Sequence, residues 1–164
     1  MACVRRPHRH QDIMRNSLSW AAFTREQRAA CLALFDANCP EFFAPNERED
    51  YESFLDDEPT GYEICLVEGA VVGAFGLFDA GPGRGRLNWI LLDPRRKGLG
   101  IGTAAMERVQ GQAWERDIAV IEIAASHKSA GFFARFGAVE VRTTSDGWGP
   151  GMHRVDMELW LGSA

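Results

Sequence analysis

The stretch LNWILLDPRRKGLGIGTAAM, residues 87–106, decides the fold of this chain. An apolar run ends at Asp93-Pro94, three basic residues follow, and glycine then occupies every second position from Gly98 to Gly102. This pattern predicts a buried strand, a basic turn and the N-terminus of a helix. Such a turn offers backbone N–H groups and a helix dipole to an anion, and glycine lets a phosphate approach closely. We therefore expect a ligand that carries phosphate.

Two common phosphate-binding motifs do not fit this stretch. A nucleoside-triphosphate loop requires G-x-x-x-x-G-K-[ST], whereas here the basic residues precede the glycines. A dinucleotide-binding loop requires G-x-G-x-x-G, whereas the spacing here is G-x-G-x-G. A magnesium-dependent nucleotide enzyme would need a carboxylate such as Asp93, but the serine or threonine of its phosphate loop is missing. A simple strand-to-helix turn without a ligand stays open as an alternative.

The composition predicts an ordinary globular domain. The chain has 164 residues, 46% of them hydrophobic and 25% charged, which favours a single domain over residues 17–164 after a flexible tail at 1–16. The net charge of −5 argues against a nucleic-acid partner, and no apolar run is long enough for a membrane span. The four cysteines form no C-x-x-C pair, so we expect neither a metal site nor disulfides, and a cytoplasmic location.

The periodicity of hydrophobic residues predicts the order β-α-α-β-β-β-α-β-α-β-β. The second helix has an acidic face, which we interpret as solvated; the alternative is a pocket wall that attracts cationic amines. The glycine-rich residues 147–151 predict a flexible link that can act as a lid. The predicted strands are 17–23, 62–67, 70–78, 86–92, 118–124, 138–143 and 153–161, and the predicted helices are 24–38, 47–57, 100–116 and 126–136.

Two segments resemble the GNAT superfamily of N-acetyltransferases. Residues 97–102, KGLGIG, resemble its [QR]-x-x-G-x-[GA] motif with lysine at the first position, and residues 126–138, SHKSAGFFARFGA, resemble its second signature. The resemblance extends over nearly the whole chain from about residue 17. It implies an α/β (α+β) fold, a mixed and mostly antiparallel sheet flanked by helices on both faces. It also implies acetyl-CoA as cosubstrate, no metal, and a small-molecule amine as acceptor; the fold often dimerises, so a homodimer is an open alternative.

The resemblance also implies which residues bind the cosubstrate. The strand before the loop would pair with the pantetheine arm, and a bulge in it would offer an N–H group to the thioester oxygen; by position this involves Ile90, Leu91 and Leu92. Ser126 and Phe133 belong to the second signature. The pyrophosphate would lie against Lys97, Gly98, Leu99, Gly100, Ile101, Gly102 and Thr103.

The catalytic residues of the resembling family are less evident. Asn88 stands where many relatives have a glutamate base, and Phe133 stands where many have a proton-donating tyrosine. Glu122, inside an apolar strand, is our candidate general base, although a structural role is the alternative; His127 and His153 are weaker candidates. No cysteine is placed as a nucleophile, so we expect direct attack of the amine. A second hypothesis is a non-catalytic acyl-CoA-binding sensor or structural module on the same fold.

Overall fold

The computed structural model describes residues 17–162, so the predicted tail at 1–16 lies outside the described part. Within this part the chain forms seven strands and four α-helices in the predicted order, with short 3₁₀ turns at Arg25–Gln27 and Pro94–Arg96. The elements are β1 (Leu18–Ala22), α1 (Arg28–Asn38), α2 (Glu47–Asp56), β2 (Tyr62–Val67), β3 (Ala70–Asp79), β4 (Arg84–Leu92), α3 (Ile101–Glu115), β5 (Val120–Ser126), α4 (Ala130–Ala134), β6 (Val139–Gly149) and β7 (Met152–Trp160).

All seven strands belong to one sheet with the order β1-β2-β3-β4-β5-β7-β6. Only the pair β4–β5 is parallel among these strands, and the other neighbouring pairs are antiparallel. This confirms the expected mixed, mostly antiparallel sheet. No helix between residues 17 and 162 has the length and apolar character needed to cross a bilayer.

Helices cover the sheet on both faces because side chains alternate along each strand. On one face Ile121 and Ile123 of β5 pack with Met106 and Val109 of α3 in the larger core cluster. On the other face α1 and α2 pack against β2, β3 and β4, in a second cluster that includes Leu91. Each fully buried side chain of this size contributes about 1.5–3 kcal/mol to folding, so both faces of the sheet are needed for stability.

Strand β6 is longer than the sequence predicts, while β7 has the predicted length and begins one residue earlier. The structure extends β6 to Gly149, so residues 147–151 belong to a hairpin and are not a free link. Two polar contacts hold this hairpin: the Asp146 N–H donates to His153 Nδ1 at 3.0 Å, and the Gly151 N–H donates to Asp146 Oδ1 at 2.8 Å. Contacts of this kind do not produce the apolar alternation from which strands are predicted.

The strands β4 and β5 separate part of the way along their length. Their register pairs run from Arg84–Val120 to Leu87–Ile123. Beyond Leu87, β4 continues to Leu92 and β5 continues to Ser126 without a register pair between them. The sheet therefore contains a wedge-shaped gap at the end where the glycine-rich turn follows β4.

Candidate active site

A cavity of about 1190 Å³ occupies the gap between β4 and β5. Its walls come from the ends of these two strands, from residues 96–98 and 100–103, and from α4. The cavity is also lined by Phe42, Phe43 and Glu47, which precede and begin α2, and by Trp148 and Arg154 of the β6–β7 hairpin. The topology thus brings distant segments of the chain to one space.

The glycine-rich turn has the backbone geometry of an anion-binding loop. Gly98 and Gly100 adopt φ angles of 83° and 80°, which cost most other residues about 1–2 kcal/mol. The first bond of α3 runs from the Ala104 N–H to the Gly100 oxygen, at 3.0 Å. The N–H groups of residues 101–103 precede that bond, so they are the donors that a helix N-terminus leaves for a ligand.

Gly102 leaves room at the wall of the cavity. A Cβ atom at this position would lie 2.8 Å from Phe132 Cε2 and 3.3 Å from Leu92 Cδ1, and both of these side chains line the cavity. Glycine is therefore required here for close approach, in addition to the positive φ angles before it.

Asp93 organises the basic turn before the glycines. Its carboxylate accepts a hydrogen bond from the Arg95 N–H at 3.0 Å and from Arg95 Nε at 3.1 Å. Burial opposes ionisation of Asp93, but these hydrogen bonds and the charges of Arg95 and Arg96 hold its pKa below the ordinary value. Asp93 is thus a buried anion whose role is to shape the turn.

No cluster suited to a metal ion is found among the residues that the structure describes.

A β-bulge interrupts β4 beside the cavity. Asn88 pairs with Gly76 and Leu91 with Ala74, so Trp89 and Ile90 together face the single residue Phe75. Trp89 has a φ of 49°, a left-handed conformation that is strained for a bulky side chain. The expected bulge is therefore present, but it lies at Trp89–Ile90, at the start of the segment where we expected it.

Two buried tyrosines hold the bulge in place. The Tyr62 hydroxyl donates to the Trp89 oxygen at 2.7 Å and lies 2.8 Å from the Tyr51 hydroxyl. Because the Tyr62 proton is used on Trp89, the Tyr51 hydroxyl is the donor of this pair. The strain at Trp89 is thus balanced by a hydrogen-bonded chain that reaches into α2.

Tyr62→Phe should destabilise the protein by about 1–3 kcal/mol, because it leaves the buried Trp89 oxygen and Tyr51 hydroxyl without this partner. Tyr51→Phe removes only the outer hydrogen bond of the chain, so it should cost less. Urea unfolding of the two variants gives the comparison. Equal losses would show that the bond to the bulge is not the important one.

Ten of the twelve residues predicted to bind the cosubstrate line the cavity, while Leu91 and Leu99 do not. The Leu91 side chain is buried against α1 and α2, on the core side of β4. The Leu99 N–H is taken by the Arg96 oxygen at 3.3 Å, so it is not available to a phosphate. The ten are Ile90, Leu92, Lys97, Gly98, Gly100, Ile101, Gly102, Thr103, Ser126 and Phe133.

Glu122 is not brought to the cavity. Its carboxylate forms ion pairs with Arg84 at 3.3 Å and Arg86 at 3.2 Å, and it is absent from the cavity wall. Each of its two carboxylate oxygens accepts a hydrogen bond from a guanidinium group. The structural role that the sequence left as an alternative for Glu122 agrees with this placement.

The two histidines also lie away from the cavity wall. The His153 N–H donates to His127 Nδ1 at 3.1 Å, and the two rings lie 4.7 Å apart between centroids. They join the start of β7 to the turn after β5, which is a structural role.

Glu47 is an acidic residue of the cavity that the sequence analysis did not single out. It is the first residue of α2, only 5% exposed, and its Oε2 accepts a hydrogen bond from the Ala44 N–H at 2.7 Å. Burial raises the pKa of Glu47 to about 7, although the Ala44 hydrogen bond acts in the opposite direction. A carboxyl group with this pKa can exchange a proton near neutral pH.

A signal for Glu47 was present in the helical period. Glu47 lies four residues before Tyr51 and eight before Leu55, which places all three on the buried stripe of α2. The acidic face of the helix is otherwise exposed as expected, at Glu49 and Asp50 for example. The interpretation as a solvated face is therefore wrong for Glu47 alone.

Trp148 joins the hairpin to the cavity wall. Its Nε1 donates to the Ala125 oxygen at 2.9 Å, and its own oxygen accepts from Asn46 Nδ2 at 2.8 Å. A side chain at Gly149 would collide with Asn46 and Ala44, so the hairpin lies directly against the start of α2. These contacts fix the segment that we expected to be a flexible lid.

The second signature places two hydroxyl groups in the cavity. Strand β5 continues through Ser126, and α4 begins only at Ala130, because the Ser129 N–H donates to Ser126 Oγ at 3.2 Å and forms a turn there. The hydroxyl oxygens of Ser126 and Ser129 lie 3.1 Å apart. Phe133 is 4% exposed and contributes an apolar wall.

The comparisons with known proteins agree with this geometry. The sequence profile of the acetyltransferase (GNAT) family matches residues 31–138, which include the bulge, the glycine-rich turn and the second signature. No curated protein matches the chain significantly in sequence.

Solved structures show the same fold at low sequence identity. An acetyltransferase of the GNAT family from Desulfovibrio desulfuricans is 18% identical with a TM-score of 0.71, over 88% of this chain and 99% of that one. The ribosomal-protein-S18-alanine N-acetyltransferase from Escherichia coli is 14% identical with a TM-score of 0.71, over 90% and 96%. An aminoglycoside 6′-N-acetyltransferase in complex with coenzyme A is 12% identical with a TM-score of 0.68, over 89% and 98%. The profile match covers well over half of the chain, and the chain therefore belongs to the GNAT acetyltransferase family.

Proposed function

We propose that the protein is an acetyl-CoA-dependent N-acetyltransferase that acts on the primary amine of a small molecule or peptide. The observation that carries this proposal is the single cavity that joins the anion-binding turn to the buried carboxyl group of Glu47. The turn offers N–H donors for a diphosphate, and Glu47 offers a group that can take a proton from an ammonium ion. Both residues of the β4 bulge, Trp89 and Ile90, line the same cavity.

The residues of the cavity fit coenzyme A. The amides of residues 101–103, the lack of a side chain at Gly102 and the positive charge of Lys97 suit a diphosphate. The unpaired edges of β4 and β5 provide backbone groups along the gap for the amide groups of the pantetheine arm. When bound, acetyl-CoA supplies an activated acetyl thioester, and an N–H of the bulge residues is the donor we assign to its oxygen.

Glu47 is the general base of this proposal. Its carboxylate accepts a proton from the acceptor ammonium, and the neutral nitrogen then forms a bond to the acetyl carbon as the carbon–sulfur bond breaks. The nitrogen then releases its second proton, which passes through water to the departing thiolate, because Phe133 has no proton to give. The hydroxyls of Ser126 and Ser129 can orient that water.

The reaction is proposed as a direct transfer without an acyl-enzyme. None of the cysteines between residues 17 and 162 lines the cavity. Burial raises the pKa of both the Cys31 and Cys65 thiols to about 11, so neither forms the thiolate that a nucleophile requires.

Calorimetric titration with acetyl-CoA, dephospho-CoA and adenine nucleotides tests the binding step, and release of the free CoA thiol in the presence of amines tests the transfer. We expect acetyl-CoA to bind in the micromolar range and adenine nucleotides to bind more weakly. Binding of acetyl-CoA without turnover for any amine would favour the non-catalytic module. Equal binding of a simple nucleotide would contradict the assignment of the cavity.

Lys97→Ala should weaken acetyl-CoA binding about tenfold, since it removes a charge beside the anion-binding turn. Lys97 lines the cavity, with its Nζ 5.1 Å from the centroid of the Phe42 ring. The loss should shrink at high ionic strength because salt screens such contacts. Arg25→Ala removes one charge from an exposed site outside the cavity wall and is the matched control. An equal effect of both variants would rule out a local contact.

A further inference from the structure

Two arginines on strands of the sheet line the cavity. Arg86 lies on β4 and Arg154 on β7. The register places Arg86 opposite Glu122 and Arg154 opposite Ser126, so both belong to the sheet face on which α2 begins. The proposed reaction uses neither of them.

Each of these arginines is oriented by one carboxylate. Arg86 donates from Nη2 to Glu122 Oε2 at 3.2 Å, and Arg154 donates from Nε to Asp156 Oδ1 at 2.9 Å. The Arg154 guanidinium also lies over the Trp148 ring, 4.9 Å from its centroid. The two terminal nitrogens of Arg154 have no hydrogen-bond partner among residues 17–162. A guanidinium held in this way presents a fixed pair of donors, which suits a carboxylate.

The charge balance favours Arg154 over Arg86 as the anion site. Glu122 and Glu158 together balance Arg84 and Arg86. Asp156, in contrast, faces two arginines, because its Oδ2 also lies 3.6 Å from Arg142 Nη2. One positive charge is therefore in excess beside the cavity at Arg154.

Trp148 contacts both Arg154 and the residue that precedes Glu47. Asn46, the residue before Glu47, donates to the Trp148 oxygen at 2.8 Å, while the Arg154 guanidinium covers the Trp148 ring. Glu47 and Arg154 thus line the same cavity, and Trp148 connects the segments that carry them. A small ligand that reaches both would carry a positive and a negative group.

We propose that the acceptor is a free amino acid, whose amino group lies at Glu47 and whose carboxylate is bound by Arg154. This inference rests on the proposed acetyl transfer and names its substrate class. A peptide N-terminus has no carboxylate next to its amine, and a polyamine has none at all, so both would leave the excess charge of Arg154 unmatched.

The test compares free amino acids with the corresponding amino acid amides in the CoA-thiol assay. We expect kcat/KM for the best free amino acid to exceed that of its amide by about 10- to 100-fold, as for loss of a charge-assisted hydrogen bond. The difference should lie mainly in KM. In Arg154→Gln, the ratio of kcat/KM for the free acid to kcat/KM for the amide should fall to near one. A general loss of activity would lower both values equally and leave this ratio unchanged.

Arg142→Gln is the matched control, since Arg142 shares Asp156 but is 74% exposed and does not line the cavity. It should keep the preference for the free acid. Equal rates for acids and amides, or turnover of polyamines or peptides alone, would overturn the amino acid assignment and leave acetyl transfer standing. If none of the amines tested is acetylated, both the proposed function and the amino acid assignment are wrong.

Discussion

Glu47→Gln should lower kcat by about 10²–10⁴-fold while leaving the affinity for acetyl-CoA unchanged, because it removes the proposed general base and nothing else. The glutamine oxygen can still accept the hydrogen bond from the Ala44 N–H, so the start of α2 is preserved. Glu49→Gln, two residues further on the same helix, changes the same charge at an exposed position and should leave kcat unaffected.

The pH dependence of the rate gives a second measurement on the same variant. Burial raises the pKa of Glu47 to about 7, so the activity of the unmodified protein should rise as the pH passes through about 7 and level off above it. This rise with pH should be absent from the residual activity of Glu47→Gln. An unchanged profile in the variant would show that another group takes the proton.

Glu47 should also make the protein less stable at alkaline pH. The ordinary pKa of a glutamate is 4.5, whereas the pKa of Glu47 in the folded protein is about 7. Between these two pH values the folded state holds a proton that the unfolded chain has lost. Stability from this site is complete below about pH 4.5 and is lost as the pH rises through about 7. Glu47→Gln should therefore be more stable than the unmodified protein by about 2–3 kcal/mol at pH 8. At pH 4 the two should unfold alike.

Gly102→Ala should weaken acetyl-CoA binding by about tenfold or more. The added methyl group would lie 2.8 Å from Phe132 Cε2, so either the ring shifts into the cavity or the turn moves away from it. Overpacking of this kind costs about 1–3 kcal/mol. Calorimetric titration with acetyl-CoA measures the loss of affinity directly.

Gly111→Ala is the control on the same helix. Nothing lies within 4 Å of a Cβ atom at this position, and Gly111 is exposed. Alanine should stabilise α3 by about 1 kcal/mol and leave acetyl-CoA binding unchanged. If both variants bind acetyl-CoA normally, Gly102 has no part in the site.

The sequence predicted the parts of the site that depend on local chemistry. The run from the apolar strand through the basic turn to the glycines shows its conformation in consecutive residues, because left-handed φ angles and helix N-termini have local signals. The order of elements was predictable for the same reason. The boundaries of β6 and α4 were not, since they depend on side-chain contacts such as those of Asp146 and Ser126.

The acidic residues show what the local sequence cannot predict. Glu122 stands out in an apolar strand, but only the neighbouring strand reveals that Arg84 and Arg86 bind it. Glu47 is one of several acids on its helix, and the nearby Ala44 and Asn46 lie against the hairpin. Asn46 and Trp148 are about 100 residues apart in the chain, and no short sequence pattern connects them.

The separation of β4 from β5 has a consequence for how the molecule opens. Among the described residues, the two halves of the sheet are joined along this line by four register pairs, which connect residues 84–87 of β4 to residues 120–123 of β5. Thermal fluctuation should part the halves more easily here than at the continuous antiparallel pairs. A molecule lying in the gap contacts both halves of the sheet and holds them together. Amide hydrogen exchange along β4 and β5 should therefore slow when acetyl-CoA is added, as ligand binding withdraws the open form from the equilibrium.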